Sequence, residues 1–269
     1  MKTEIHLMPR ELLYIAAMLE AVEFMGVSDA FFGMDEQEIH RELLRLQASL
    51  EKKGYAQTDF NGNFTLNASV QQVVDICANC DIFIAVDKNK VSEDQSRELY
   101  YAKKGVIIQL KQDSNGSILV PIEDTDSLTK NILRDMTWQV SEPLRHEKIR
   151  LSNKKLSEAK EQLLSFDAAG GLKTLVDNGC TELAAKAISD GLSNKSRYYS
   201  IVVRAFAGEC SGVYSAMFID TAMGIYSLTP SGNADDESVV FETLTSEQAV
   251  CAIANLVAKT VSQRSEGSK

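Results

Sequence analysis

The sequence predicts an α+β fold: two pseudo-repeated αβ units with mainly antiparallel sheets, a winged-helix-like N-terminal segment and a central connecting helix. Three observations predict it. With Gly105 set on Gly224, a shift of 119, Val106 to Glu123 falls without a gap on Ile225 to Glu242, and the helices that follow from Ser127 and Ser246 start in register. A strand pair, turn and helix that recur at fixed spacing read as two copies of one supersecondary unit, since neither copy alone buries its apolar sheet face. The second observation is the N-terminal order of helix, turn, helix and hairpin. The third is an apolar helical pattern across the junction between the copies.

In chain order, Pro9 suits a first helical turn, and Leu12, Leu13, Ile15, Ala16, Leu19, Val22 and Phe24 predict a helix from Pro9 to Met25. Asp35 reads as the cap of a second helix, with Glu36 and Glu38 in its first turn, buried by Ile39, Leu43, Leu46 and Leu50 and stopped at Gly54. Tyr55 to Phe60 and Asn63 to Asn67 read as strands around Asn61-Gly62, a two-residue hairpin signal. A helix from Ser69 to Cys80 then leads into the strand Ile82 to Val86. Leu66 to Val86 has a counterpart of equal length in Leu183 to Val203, at a shift of 117. A charged bend from Asp87 to Asp94, a strand from Arg97 to Lys103, a hairpin on Asn115-Gly116, an edge-favouring Pro121 and a helix from Ser127 to Met136 complete the first unit.

The junction reads as one long helix from Pro143 to Phe166, with Leu144, Ile149, Leu151, Leu156, Leu163 and Leu164 on its apolar side. Ala168-Ala169-Gly170-Gly171 then reads as a helix break, before helices from Leu172 and Glu182 and strands from Tyr198 to Ala207 and Val213 to Asp220. Two tightly coupled parts are expected, 1–137 and 138–269.

Composition bounds the function. At 269 residues, with 44% apolar and 25% charged residues, the chain is ordinary globular protein. A net charge of −10 opposes a nucleic-acid partner, because phosphate neutralisation requires a basic face. The first 80 residues hold six Lys or Arg against twelve Asp or Glu, so the second helix would repel phosphates. Five cysteines, an odd number, do not form a disulfide framework, and no signal-like segment opens the chain, so a reduced, cytoplasmic protein without membrane insertion is expected.

The motifs that could carry chemistry are incomplete. Cys77-Ala-Asn-Cys80 has no second pair and no nearby His. Gly208-Glu-Cys210-Ser-Gly212 has a nucleophile-elbow pattern, but between two strands. His6, His40 and His146 have no spacing that joins them to a nucleophile, and each reads as a surface residue. Asp235-Asp236-Glu237 reads as a solvated turn. No catalytic residue, metal site or cofactor is expected, and the protein reads as a non-enzyme.

Phe218-Ile219-Asp220-Thr221-Ala222-Met223-Gly224-Ile225-Tyr226, set before the last hairpin and C-terminal helix, resembles the Asp-Thr, Gly, aromatic strand of the EspG family of chaperones from ESX (type VII) secretion systems, with Ile225 where that family has Arg. The resemblance implies a cytosolic chaperone that keeps helical-hairpin secretion substrates soluble. Actinobacterial members bind PE–PPE pairs; the composition here, Lys-rich with few Ala and Pro, looks more like that of a Firmicute chain, for which the resemblance implies a WXG-like or LXG-like client. Alternation along the strand from Tyr198 places Tyr198, Val202, Arg204 and Phe206 on one face. With Tyr214, Tyr226 and Phe241, these are the candidate partner-binding residues. The alternatives are an acidic winged-helix regulator of transcription and a structural protein of another system.

Overall fold

The computed structural model describes residues 4–21, 23–89, 95–113, 116–165, 167–193, 195–206, 212–231 and 237–261. The first half runs β1 (Ile5–Leu7), α1 (Pro9–Met18), α2 (Glu36–Lys52), β2 (Ala56–Thr58), β3 (Phe64–Leu66), α3 (Ala68–Ala78), β4 (Ile82–Asn89), β5 (Ser96–Lys103), β6 (Val106–Asp113), β7 (Gly116–Ile122) and α4 (Thr125–Leu133). The second runs β8 (Lys148–Ser152), α5 (Asn153–Leu164), α6 (Ala168–Asp177), α7 (Glu182–Leu192), β9 (Arg197–Ala205), β10 (Gly212–Thr221), β11 (Gly224–Ser231), β12 (Ser238–Leu244) and α8 (Ser246–Val261). Both halves thus contain a helix, a four-stranded meander and a second helix, in the same order.

The meanders meet through β4 and β9, which pair antiparallel from Ile82↔Ala205 to Asn89↔Tyr198. The result is one ten-stranded sheet, β1-β7-β6-β5-β4-β9-β10-β11-β12-β8, while β2 and β3 form a separate ladder. Side chains alternate across the sheet. On one face Ile84, Val86, Tyr100, Tyr199, Ile201, Val203 and Phe218 form a single core under α4 and α8. The other face carries two cores. Phe83, Leu99, Tyr101 and Ile108 pack with residues of α1 and α3, and Ile219, Tyr226, Leu228 and Phe241 pack with residues of α5, α6 and α7.

Local chemistry sets the boundaries. Asp35 accepts the Glu38 N–H at 2.8 Å while the Glu38 carboxylate takes the Asp35 N–H at 3.0 Å, a reciprocal cap on α2. Buried Glu11 ties α1 to α2, accepting from Ser49 Oγ and Lys53 Nζ, each at 2.6 Å. The β5–β6 turn places Lys104 and Gly105 both at positive φ, 49° and 79°, which a two-residue hairpin matched to the sheet twist requires.

Several sequence expectations are corrected. The first helix ends at Met18 rather than Met25, because Glu20 adopts a left-handed φ of 58° and the Ala21 N–H reaches back to Ala16 O at 3.1 Å. The chain then folds onto the sheet, where Met25 O accepts the Tyr101 hydroxyl at 2.6 Å. The long junction helix begins at Asn153, not Pro143. Residues 148–152 form edge strand β8 on β12, because Ile149 and Leu151 alternate with Lys148 and Arg150, and Ser152 then caps α5 by accepting the Lys155 N–H. Ala168 to Gly171 are the first turn of α6, not a break; Asp167 caps them by accepting the Gly170 N–H at 2.9 Å. A Cβ at Gly171 would lie 2.6 Å from Leu163 Cγ, so this glycine lets α6 approach α5 closely. β4 runs on to Asn89, past the expected bend at Asp87. Asn61-Gly62 lies within a longer loop organised by Asp59, which accepts the N–H groups of Asn61 and Asn63. β1 was not anticipated. It covers 117–119 of β7, leaving Pro121 beyond its reach. The tip at Asn115 lies outside the described residues.

Between the halves, residues 137–144 cross one end of the second meander and are held by the Asp220–Thr221 segment. Asp220 is fully buried; its carboxylate accepts the Gln139 N–H at 3.0 Å and faces Arg197 at 3.4 Å. Arg197 donates to Thr137 O at 3.0 Å, and Trp138 stacks edge-on to Tyr199 at 5.0 Å. Gly224, with φ of 154°, leaves room for Pro143, whose Cβ would lie 3.0 Å from an added Cβ. Burial pushes the Asp220 carboxyl above its ordinary range, against the opposing pull of Gln139 and Arg197.

Two outcomes are expected. Ile84 and Val203 are register partners across the seam, so truncating each to Ala lowers unfolding stability by about 1–4 kcal/mol, and the double variant departs from additivity by at least about 0.5 kcal/mol in urea titrations. Additive losses would show that the seam is not a shared core. The raised Asp220 pKa means that its carboxyl favours folding below the usual carboxylate pKa of about 4 and loses that contribution as pH rises through the folded value. The stability of the wild type relative to Asp220→Asn should therefore fall over that window and level above it. A difference that grows with pH would contradict the burial argument.

Candidate functional site

The face that carries two helix layers leaves a trough between them. α3 packs chiefly on β5 and β6, and α7 on β10. The central strands β4 and β9 lie between these helices. From one end, the trough floor on β9 is Tyr198, Ser200, Val202 and Arg204, beside Asp87, Ala85 and Phe83 of β4 and Ser215 and Val213 of β10. Phe206 continues the line and keeps the ladder through its N–H to Asp81 O at 3.0 Å.

The two ends of the trough differ. At one, Asp87 and Arg97 form a two-pronged ion pair at 2.6 and 3.1 Å, and Tyr198 packs against the α5–α7 core. At the other, Val213 is 61% exposed and Phe206 48% exposed, with half-buried Val202 and Met25 beside them. Exposed Arg204 lies between these apolar groups, in register with Phe83 and Val213. Two adjacent exposed apolar side chains on the floor of a sheet, beside a cation, form a surface suited to covering by a partner.

Of the seven residues singled out in the sequence, the structure brings Tyr198, Val202, Arg204 and Phe206 together on this face. Tyr214 pairs with Val203 and so belongs to the opposite face. Tyr226 and Phe241 are corrected: they are 4% and 0% exposed and stack on each other at 5.0 Å inside the α5–α7 core, out of reach of any partner. Their strands are covered by helices that period-2 alternation cannot reveal. Val213, the most exposed apolar residue of the trough, was missed; only the β9–β10 register places it beside Arg204.

The remaining motifs are placed as follows. Burial, then the neighbouring Cys80, raises the Cys77 thiol well above its ordinary range, and burial pushes Cys80 up to about 11. Both are therefore protonated at neutral pH and poor nucleophiles. Cys210 and the Asp235-Asp236 turn lie outside the described residues. His6, His40 and His146 are exposed. Among the described residues no group of three or more His, Cys, Asp or Glu is placed to hold a metal ion, and no helix is long and apolar enough to cross a membrane. A cleft of about 330 Å³ beside α2 is lined by Arg10, Met34, Glu38, Arg41, Glu42 and Arg45. Much of its charge is paired internally, Glu42 lying 3.0 Å from Arg10 and 3.6 Å from Arg45.

No protein-family model matches the sequence, and no curated protein matches it. The structure is similar to that of the Mycobacterium tuberculosis type VII secretion system chaperone EspG5, solved in complex with the PE25–PPE41 dimer. The TM-score is 0.63 at 13% identity, over 96% of each chain. At that identity the likeness is one of fold, and it extends over both meanders and the N-terminal helices. The chain has an EspG-like fold.

Proposed function

We propose that this protein is a cytosolic chaperone of a type VII-like secretion system, which covers the apolar tip of a helical-hairpin client in the central trough and keeps it soluble. The observation that carries the reading is the exposed pair Phe206 and Val213 at one end of the central strands, in a fold like that of a secretion chaperone. An apolar helix tip seated there would bury surface that otherwise drives its aggregation, at roughly 25 cal/mol per Å² removed from water. Because the chaperone binds only the folded monomeric client, mass action then holds the client in that state. A helix laid over the central strands between the two helix layers is a recurrent recognition mode. A WXG-like or LXG-like hairpin is the client class this reading favours.

The test is co-expression with helical-hairpin proteins encoded in the same genome, followed by native mass spectrometry of the purified complex. A complex of fixed stoichiometry is expected. The double variant Phe206→Asp, Val213→Asp should lose at least about tenfold in affinity while its urea midpoint stays within the equivalent of about 0.5 kcal/mol, since both side chains are exposed. A client retained equally by the variant, or no client at all, would overturn the proposal.

A further inference from the structure

Resting on the docking reading above, we infer that the occupant of the trough carries a carboxylate among its apolar tip residues, and that Arg204 receives it. Arg204 stands at the centre of the exposed strip, flanked in register by Phe83 and Val213 and along β9 by Val202 and then Phe206. Its guanidinium has no acidic partner among the described residues, where its polar contact is Nη1 to the Met25 sulfur at 4.0 Å. By contrast, Arg97 at the far end of the trough is paired with Asp87 at 2.6 Å, and Lys103 of β5 with Asp75 at 2.7 Å. In a chain of net charge −10, a cation without a counter-charge among the described residues, in the middle of an apolar strip, is set apart from the rest of the surface.

The physics then selects the occupant. A purely apolar tip laid over Phe206 and Val213 would strip water from Arg204 and leave a buried charge uncompensated, which opposes binding. A carboxylate at that point restores the balance, and the planar guanidinium can hold it through two parallel hydrogen bonds. Free phosphate or nucleic acid fits less well, because neither covers the apolar neighbours and the acidic chain repels polyanions. The occupant is thus a helical tip with one Asp or Glu set between large apolar residues.

The experiment uses the full chain and three synthetic helical-hairpin peptides, closed by a disulfide, whose tips differ in one residue between leucines: Glu, Gln or Lys. Fluorescence anisotropy should show the Glu peptide binding at least about tenfold more tightly than the Lys peptide, with a preference that shrinks as salt is raised. Arg204→Glu should invert the order without moving the urea midpoint, because Arg204 is exposed. Equal affinity of wild type for the three peptides, each still sensitive to Phe206→Asp, would overturn the carboxylate and leave the docking reading in place. Absence of binding to every peptide, or binding indifferent to Phe206→Asp, would overturn both.

Discussion

The antiparallel pairing of β4 with β9 is the constraint on which the rest depends. Each meander ends in a strand whose outer edge would otherwise expose a row of unpaired N–H and C=O groups. Joining those edges over eight residue pairs turns two four-stranded meanders into the middle of one sheet. The seam also fuses their apolar faces. Ile84 and Val86 from one half and Ile201 and Val203 from the other lie in a single core under α4 and α8. The outer edges are closed differently, by the short strands β1 and β8. At β1 the His6 N–H donates to the Tyr55 hydroxyl at 3.1 Å and Lys53 reaches His6 O at 3.3 Å, so that edge is already occupied.

The same seam explains the trough. On the α4/α8 face one helix layer spans the junction, and β4 and β9 are buried. On the other face each half brings its own helices, and these lie over the outer strands. The cores beneath the two layers are separate, and the residues of the sheet centre on that side are covered only in part. Exposed Val213 and Phe206 are thus a geometric consequence of joining two helix-covered meanders edge to edge. The Asp220 network complements the seam by tying residues 137–144 to the end of β9 and β10 through Arg197, Gln139 and Thr137. Of the residues that carry the resemblance in letters to secretion chaperones, Phe218, Ile219, Asp220, Gly224, Ile225 and Tyr226 are buried, while Ala222 and Met223 are exposed at the turn between β10 and β11.

Much of the architecture was legible in the residues. Asp35 with Glu38 announced α2, the stretch from Ser69 to Cys80 announced α3, and the offset between Gly105 and Gly224 placed two hairpins in corresponding positions. The misreadings share a cause. Ile149 and Leu151 fit both a helical and an alternating pattern over so short a span, and only the free edge of β12 makes them a strand. Ala168 to Gly171 looked like a break because glycine disfavours helices by about 1 kcal/mol relative to alanine, whereas the close approach of Leu163 to Gly171 is what calls for glycine there.

What the sequence determined by itself was local: most helices and strands, the cap of α2, the corresponding hairpins at Gly105 and Gly224, that the chain is acidic, and that Tyr198, Val202, Arg204 and Phe206 share one face. Tertiary structure alone decided which apolar faces remain open. Tyr226 and Phe241 have the same alternation as Val202 and Phe206, yet helices from α5 to α7 cover the first pair, while Val202 is half-buried and Phe206 exposed. Burial of a strand residue depends on elements distant in the chain, and the pairing of Arg204 with Phe83 and Val213 joins residues 121 and nine positions apart. Such contacts leave no periodic trace in either segment, which is why the fold was readable from the residues and the trough was not.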